Sequence, residues 1–110
     1  MVEFKEESMQ NLQFHPLAEL EADEASLYYE AISLPISRRF LADLTKSLKN
    51  VLQYPQGYPL EMDRVRKLVF AEFPYSLYYA HGAERLYILA VAHHSRHPDY
   101  WKPRLKDIPE

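Results

Sequence analysis

The order in which hydrophobic periodicity changes along the chain constrains its fold more than any other feature. From Asn11 to His15, polar residues alternate with Leu12 and Phe14, the period of two that a half-buried strand needs. The period then lengthens. Behind Pro16, whose fixed φ and missing N–H suit a first helical turn, Leu17, Leu20, Leu27, Tyr28 and Ala31 recur at helical intervals. Glu19, Asp23, Glu24 and Glu30 take the water side, so a helix is expected to about Ser33. Pro35 interrupts the pattern. With Ser37 as its cap, a second helix carries Phe40, Leu41, Leu44, Leu48, Val51 and Leu52 on one stripe.

Residues 54–59, Tyr-Pro-Gln-Gly-Tyr-Pro, close this helical hairpin with a loop. The pattern then changes again. Arg64 to Phe73, Tyr75 to His81 and Arg85 to His93 are rich in Val, Ile, Leu, Phe and Tyr, the composition of strands. Pro74 and the His81-Gly82-Ala83-Glu84 segment leave room only for tight connections, which favours an antiparallel meander. The expected class is α+β: an N-terminal strand, a two-helix hairpin and a three-stranded antiparallel meander, forming one sheet covered on one face by the helices.

At 110 residues the chain suits one domain. We expect a flexible N-terminal tail over 1–10, the domain over 11–104 and a C-terminal tail over 105–110. The absence of Cys removes disulfides and thiolate metal sites, and two Gly are too few for a phosphate-cradling glycine loop. No apolar run approaches the roughly 20 residues that cross a bilayer, and the first ten residues lack a secretory pattern, so a cytoplasmic protein with no membrane partner is expected. The net charge of −3 conceals a split: residues 1–30 hold eight acids and one base, and residues 31–110 hold eight acids and twelve bases. Any surface facing a polyanion should come from the second part.

Several strings carry a resemblance. Phe14-His15-Pro16-Leu17-Ala18-Glu19 is followed in order by Arg38-Arg39-Phe40, Val65-Arg66-Lys67-Leu68, Phe73-Pro74-Tyr75-Ser76-Leu77-Tyr78-Tyr79, Ile88 to His93, Arg96-His97-Pro98 and Trp101. Together these resemble the RelE/ParE toxin superfamily, and their spacing is similar to the ParE-like, plasmid-stabilisation branch, over about Leu12 to Trp101. The resemblance implies the toxin of a bacterial type II toxin–antitoxin system, bound by a cognate antitoxin. ParE-like members inhibit DNA gyrase, whereas RelE-like members cut messenger RNA on the ribosome. The ParE-like, binding-type reading is favoured, with a RelE-like metal-independent endoribonuclease as runner-up and an inactive, antitoxin-binding relative as the third. Homodimerisation is a further option.

Cutting RNA without a metal needs an acid–base pair and cations for the charge developing on phosphorus. Arg66, matching the basic strand position of the resemblance, and His93, at the end of the last strand, are the candidates for such chemistry. Alternation puts Arg66 on one face with Arg64, Leu68 and Phe70, and His93 in phase with Tyr87, Leu89 and Val91. Arg64, Arg66, Lys67, Arg96, Tyr100 and Trp101 are the candidates for target or partner contact: Arg66 matches the basic strand position of the resemblance, and from Arg96 to Lys106 cations interleave with rings. Relative to RelE-like nucleases, the basic set is thin, which favours binding over cutting. His93 and His97 are four apart, but Pro98 follows a strand exit rather than a helix, so no metal site and no cofactor are expected.

Overall fold

The computed structural model describes residues 10–110. The expected tail over 1–10 therefore falls almost wholly outside the described residues. Strand β1 (Leu12–Phe14) leads into helices α1 (Pro16–Ile32) and α2 (Leu34–Gln53), followed by β2 (Leu60–Met62), β3 (Val65–Val69), β4 (Tyr75–His81) and β5 (Leu86–His93). A 3₁₀ helix (Lys102–Asp107) closes the chain. The five strands form one sheet in the order β1-β5-β4-β3-β2. β1 runs parallel to β5, and all other pairings are antiparallel. Both edge strands are three residues long, which limits the open backbone offered to another chain.

The two helices lie on one face, as the periodicity predicts, but the meander has a fourth strand. β2 turns into β3 through Asp63 and Arg64, with Asp63 at φ 53°. A tight two-residue hairpin turn requires this left-handed geometry, and Asp tolerates it better than most residues. Asp-Arg lacks the glycine that usually advertises such a turn. The helix junction also differs from expectation. Ser33, rather than Ser37, caps α2 by accepting a hydrogen bond from Ile36 N (3.2 Å), while its own N–H closes α1 on Tyr29 O (2.9 Å). Pro35 thus sits in the first turn of α2, where it leaves no N–H unpaired.

The larger reversal is in α1. Leu17, Leu20, Leu27 and Tyr28, expected on the inner face, are 46–64% exposed, and Ala18, Ala22 and Ala25 are buried instead. The alanines form a smooth stripe that lets the helix backbone approach β5 closely, with the large side chains turned to the opposite side. α2 follows its pattern: Phe40, Leu44, Leu48 and Val51 are fully buried against Leu68, Leu77, Tyr79, Ile88 and Val91. Burying each of these large α2 side chains contributes roughly 1.5–3 kcal/mol. Tyr29, Phe73 and Tyr75 surround Phe40 with ring centroids 5.2–5.5 Å away, mostly edge to face.

A second, smaller core fills the other face. Trp101 stacks on Tyr78 (4.6 Å between centroids), and with Ile108 it covers Val65, Leu89 and Ala90. The chain therefore remains packed beyond residue 104: Leu105 and Ile108 both join this cluster. Among the described residues no helix is long and apolar enough to cross a membrane.

Candidate functional site

A register irregularity decides which side chains meet at the exit of β5. Tyr79 pairs with Ile88 but Tyr78 pairs with Ala90, so one extra residue stands in β5. Leu89 and Ala90 consequently both face the second core, and alternation restarts one residue later. This separates the residues expected in phase with His93. Tyr87 and Leu89 lie on the face away from the helices, while Val91 lies on the helix face and His93 opposes Tyr75 there, with ring centroids 5.0 Å apart.

The same stretch of β5 has lost its strand neighbour, since β1 pairs only as far as Ile88. Two side chains replace it. Glu21 Oε1 accepts from Val91 N (3.0 Å), and Arg104 Nη1 donates to Leu89 O (3.0 Å). The two side chains also pair with each other through 3.0 and 2.9 Å contacts, and Tyr100 Oη donates to Glu21 Oε2 at 2.7 Å. Burial raises the Tyr100 pKa, reinforced by the Glu21 carboxylate it bonds. For Arg104, burial works against the charge, but Glu21 outweighs it and the pKa rises. Glu21 was hidden in a run of acids that reads as a solvated helix face. Its place beside the Ala18, Ala22 and Ala25 stripe, one helical turn from two of them, is the sequence signal that marks it as inward.

The candidate residues divide between faces. Arg66 lies on the helix side, donates to Tyr58 O (2.7 Å) and sits beside Tyr79, whose pKa burial pushes up to about 12 while the Arg66 charge opposes the shift. Arg66 is in register with Tyr79, and His93 with Tyr75. Four residues along β4 and two strand spacings therefore separate them, on the order of 16 Å. His93 Nδ1 accepts from Ser95 N (3.0 Å), which leaves the ring proton on Nε2 in the neutral form. Arg64 makes an exposed pair with Glu110 (2.9 Å). Trp101 is only 2% exposed, so its ring belongs to the core.

Lys67, Arg96 and Tyr100 come together on the face away from the helices. They line an open concavity of about 260 Å³ with Ser76, His94 and His97. Lys67 Nζ lies 5.6 Å from the Tyr78 ring and Arg96 Cζ 4.0 Å from the Tyr100 ring. Ser76, buried beneath, bonds His94 Nε2 at 2.9 Å. Reading along the sequence did not single out Ser76 as a lining residue, because only the antiparallel register carries it to the exit of β5. No group of three or more His, Cys, Asp or Glu among the described residues is arranged to hold a metal ion.

The family model of the ParE toxin of type II toxin–antitoxin systems, parDE, matches residues 12–98. The chain belongs to this ParE toxin family. The match takes in all five strands and both helices, and it ends just short of the Trp101 plug. Among solved structures, the chain is similar to one described as a chromosomal ParDE toxin–antitoxin system from P. aeruginosa, with a TM-score of 0.65 and 21% identity, over 78% of this chain and 97% of that one. No curated protein sequence matches the chain. Within the matched residues, α1 carries the exposed leucines and Glu21, and β3, β4 and the segment after β5 line most of the cationic concavity, whereas Arg104 and Tyr100 lie beyond the match.

Proposed function

We propose that this chain is the toxin of a type II toxin–antitoxin pair, that it acts in the ParE manner by binding and inhibiting DNA gyrase, and that a cognate antitoxin holds it inactive. Membership of the ParE family over residues 12–98 carries this reading. The placement of Arg66 and His93 supports binding over cutting. Their backbones stand on the order of 16 Å apart, and the Arg66 guanidinium is already engaged in donating to Tyr58 O. The antitoxin has a suitable surface in Leu17, Leu20, Leu27 and Tyr28, which form one exposed apolar stripe on α1 flanked by acidic residues. An amphipathic helix with basic flanks would complement it.

Induced expression in a sensitive bacterial host should arrest growth, and co-expression of the antitoxin encoded beside it should restore growth. Purified protein should stabilise gyrase–DNA cleavage complexes or block supercoiling. Normal supercoiling alongside messenger RNA newly cut at ribosome-bound sites would favour the endoribonuclease reading instead. Growth unaffected by full-length soluble protein would favour the inactive, partner-binding relative.

A further inference from the structure

The charge split along the sequence becomes, in the folded chain, two surfaces of opposite sign. Helix α1 contains no Lys or Arg. Its Glu19, Glu24 and Glu30 are exposed, and among the described residues none of the three has an ion-pair partner. Glu24 falls within the exposed stripe of Leu20 and Leu27, while Glu19 and Glu30, about three turns apart, run along one border of it. The concavity on the opposite face of the sheet carries the complement. No Asp or Glu lines it. Among the described residues, Lys67 and Arg96 have no carboxylate partner, whereas Arg39, Arg64, Lys102 and Arg104 are all paired with Asp or Glu. Each of the two cations lies over a ring instead, which leaves its N–H groups open to a carboxylate. Val69, 56% exposed, stands beside Lys67 on the same wall and offers an apolar contact.

The two surfaces also agree in scale. Glu24 and Glu30 are about 9 Å apart along the helix axis, and the backbones of Lys67 and Arg96 are about 10 Å apart, with β4 between them. Because α1 covers one face of the sheet and the concavity opens on the other, one copy cannot offer both surfaces to the same neighbour. A contact between them is therefore heterologous, and copies add head to tail rather than closing as a twofold pair.

We propose that the α1 stripe of one copy, with Glu24 and Glu30, docks on the Lys67 and Arg96 concavity of a second copy, so that the free protein self-associates head to tail. This assignment does not depend on the target or on the antitoxin. The test is sedimentation velocity of the full chain at rising protein concentration. The weight-average mass should climb past twice the 13.0 kDa of one copy without a plateau. It should return toward one copy as ionic strength rises from about 0.01 M to about 1 M, over which the Debye length falls from about 30 Å to about 3 Å. Lys67→Glu with Arg96→Glu should weaken association roughly tenfold or more, and Glu24→Lys with Glu30→Lys should do the same. Mixing these two double variants in equal amounts should restore it, because every contact in an alternating chain again joins opposite charges. Lys46→Ala, an exposed cation on α2, should leave the mass unchanged. Thermal midpoints near that of the unsubstituted protein show that the variants are folded. A monomer at every concentration overturns the proposal and leaves α1 to the antitoxin alone. A mass that stops at two copies, or double variants that associate as the original does, overturns it as well. So does a mixture of folded, monomeric double variants that fails to reassociate, because the lost contact then lies elsewhere than between these two surfaces.

Discussion

Replacing Glu21 and Arg104 together with apolar residues tests whether this pair serves the backbone of β5 or only itself. Buried ion pairs are often replaceable by hydrophobic residues at little cost, because relief from desolvation offsets the lost attraction. Here the two side chains also satisfy Val91 N and Leu89 O, where β1 no longer reaches. Glu21→Leu alone strands a guanidinium whose side chain is 9% exposed, and Arg104→Met alone strands a carboxylate whose side chain is 15% exposed. Each should cost about 3–5 kcal/mol. In the double variant the charges are gone, but two backbone groups remain without partners, at about 1–3 kcal/mol each. The double variant should therefore stay roughly 2–6 kcal/mol less stable than the unsubstituted protein. That is a large fraction of the roughly 5–15 kcal/mol that holds a domain of this size together. Urea unfolding followed by far-UV circular dichroism gives the midpoint, and an unchanged m-value would show that the denatured state is not responsible. Recovery of the double variant to within about 0.5 kcal/mol of the original would refute the reasoning, since the backbone groups would then have found other partners.

Three further outcomes can be checked. Burial raises the pKa of Tyr75, Tyr79, Tyr87 and Tyr100, so the folded state holds these protons longer than the unfolded chain. The associated stability is complete below about pH 10 and is lost as pH rises through the folded-state values; Tyr79, raised from 10.0 to about 12, accounts for roughly 2–3 kcal/mol. Thermal melts at increasing alkaline pH should fall steeply above about pH 10, and a midpoint flat to pH 12 would contradict this. Asp43 on α2 is buried and accepts from Glu72 N (3.0 Å) and Phe73 N (2.8 Å), so Asp43→Ala should destabilise by about 2–4 kcal/mol and loosen the β3–β4 connection, read as faster amide exchange at residues 72 and 73. Leu20→Glu with Leu27→Glu alters exposed positions and should change stability by less than about 1 kcal/mol while abolishing antitoxin binding, measured by calorimetry; undiminished binding would place the antitoxin elsewhere.

The order of elements was legible in the sequence because it rests on local physics. Alternation in Leu12 to Phe14, the six-residue stripe of α2 and the prolines at 16, 55 and 74 each act within a few residues of themselves. Even the inward set of α2 could be read directly, since Phe40, Leu44, Leu48 and Val51 are both large and periodic. What the tertiary structure decided involves partners distant in sequence. The direction of α1 was set by the small size of Ala18, Ala22 and Ala25 against β5, a packing advantage that hydrophobicity alone undervalues. The face taken by His93 was set by one extra residue in β5, which no propensity marks, and which reverses every side chain after it. Glu21 and Arg104 stand 83 residues apart, and each reads by itself as an ordinary surface charge. Only the early end of β1 leaves β5 backbone in need of both. The assembly of Lys67, Ser76, His94 and Arg96 around one concavity has the same origin, because strand register rather than sequence proximity brings these side chains together.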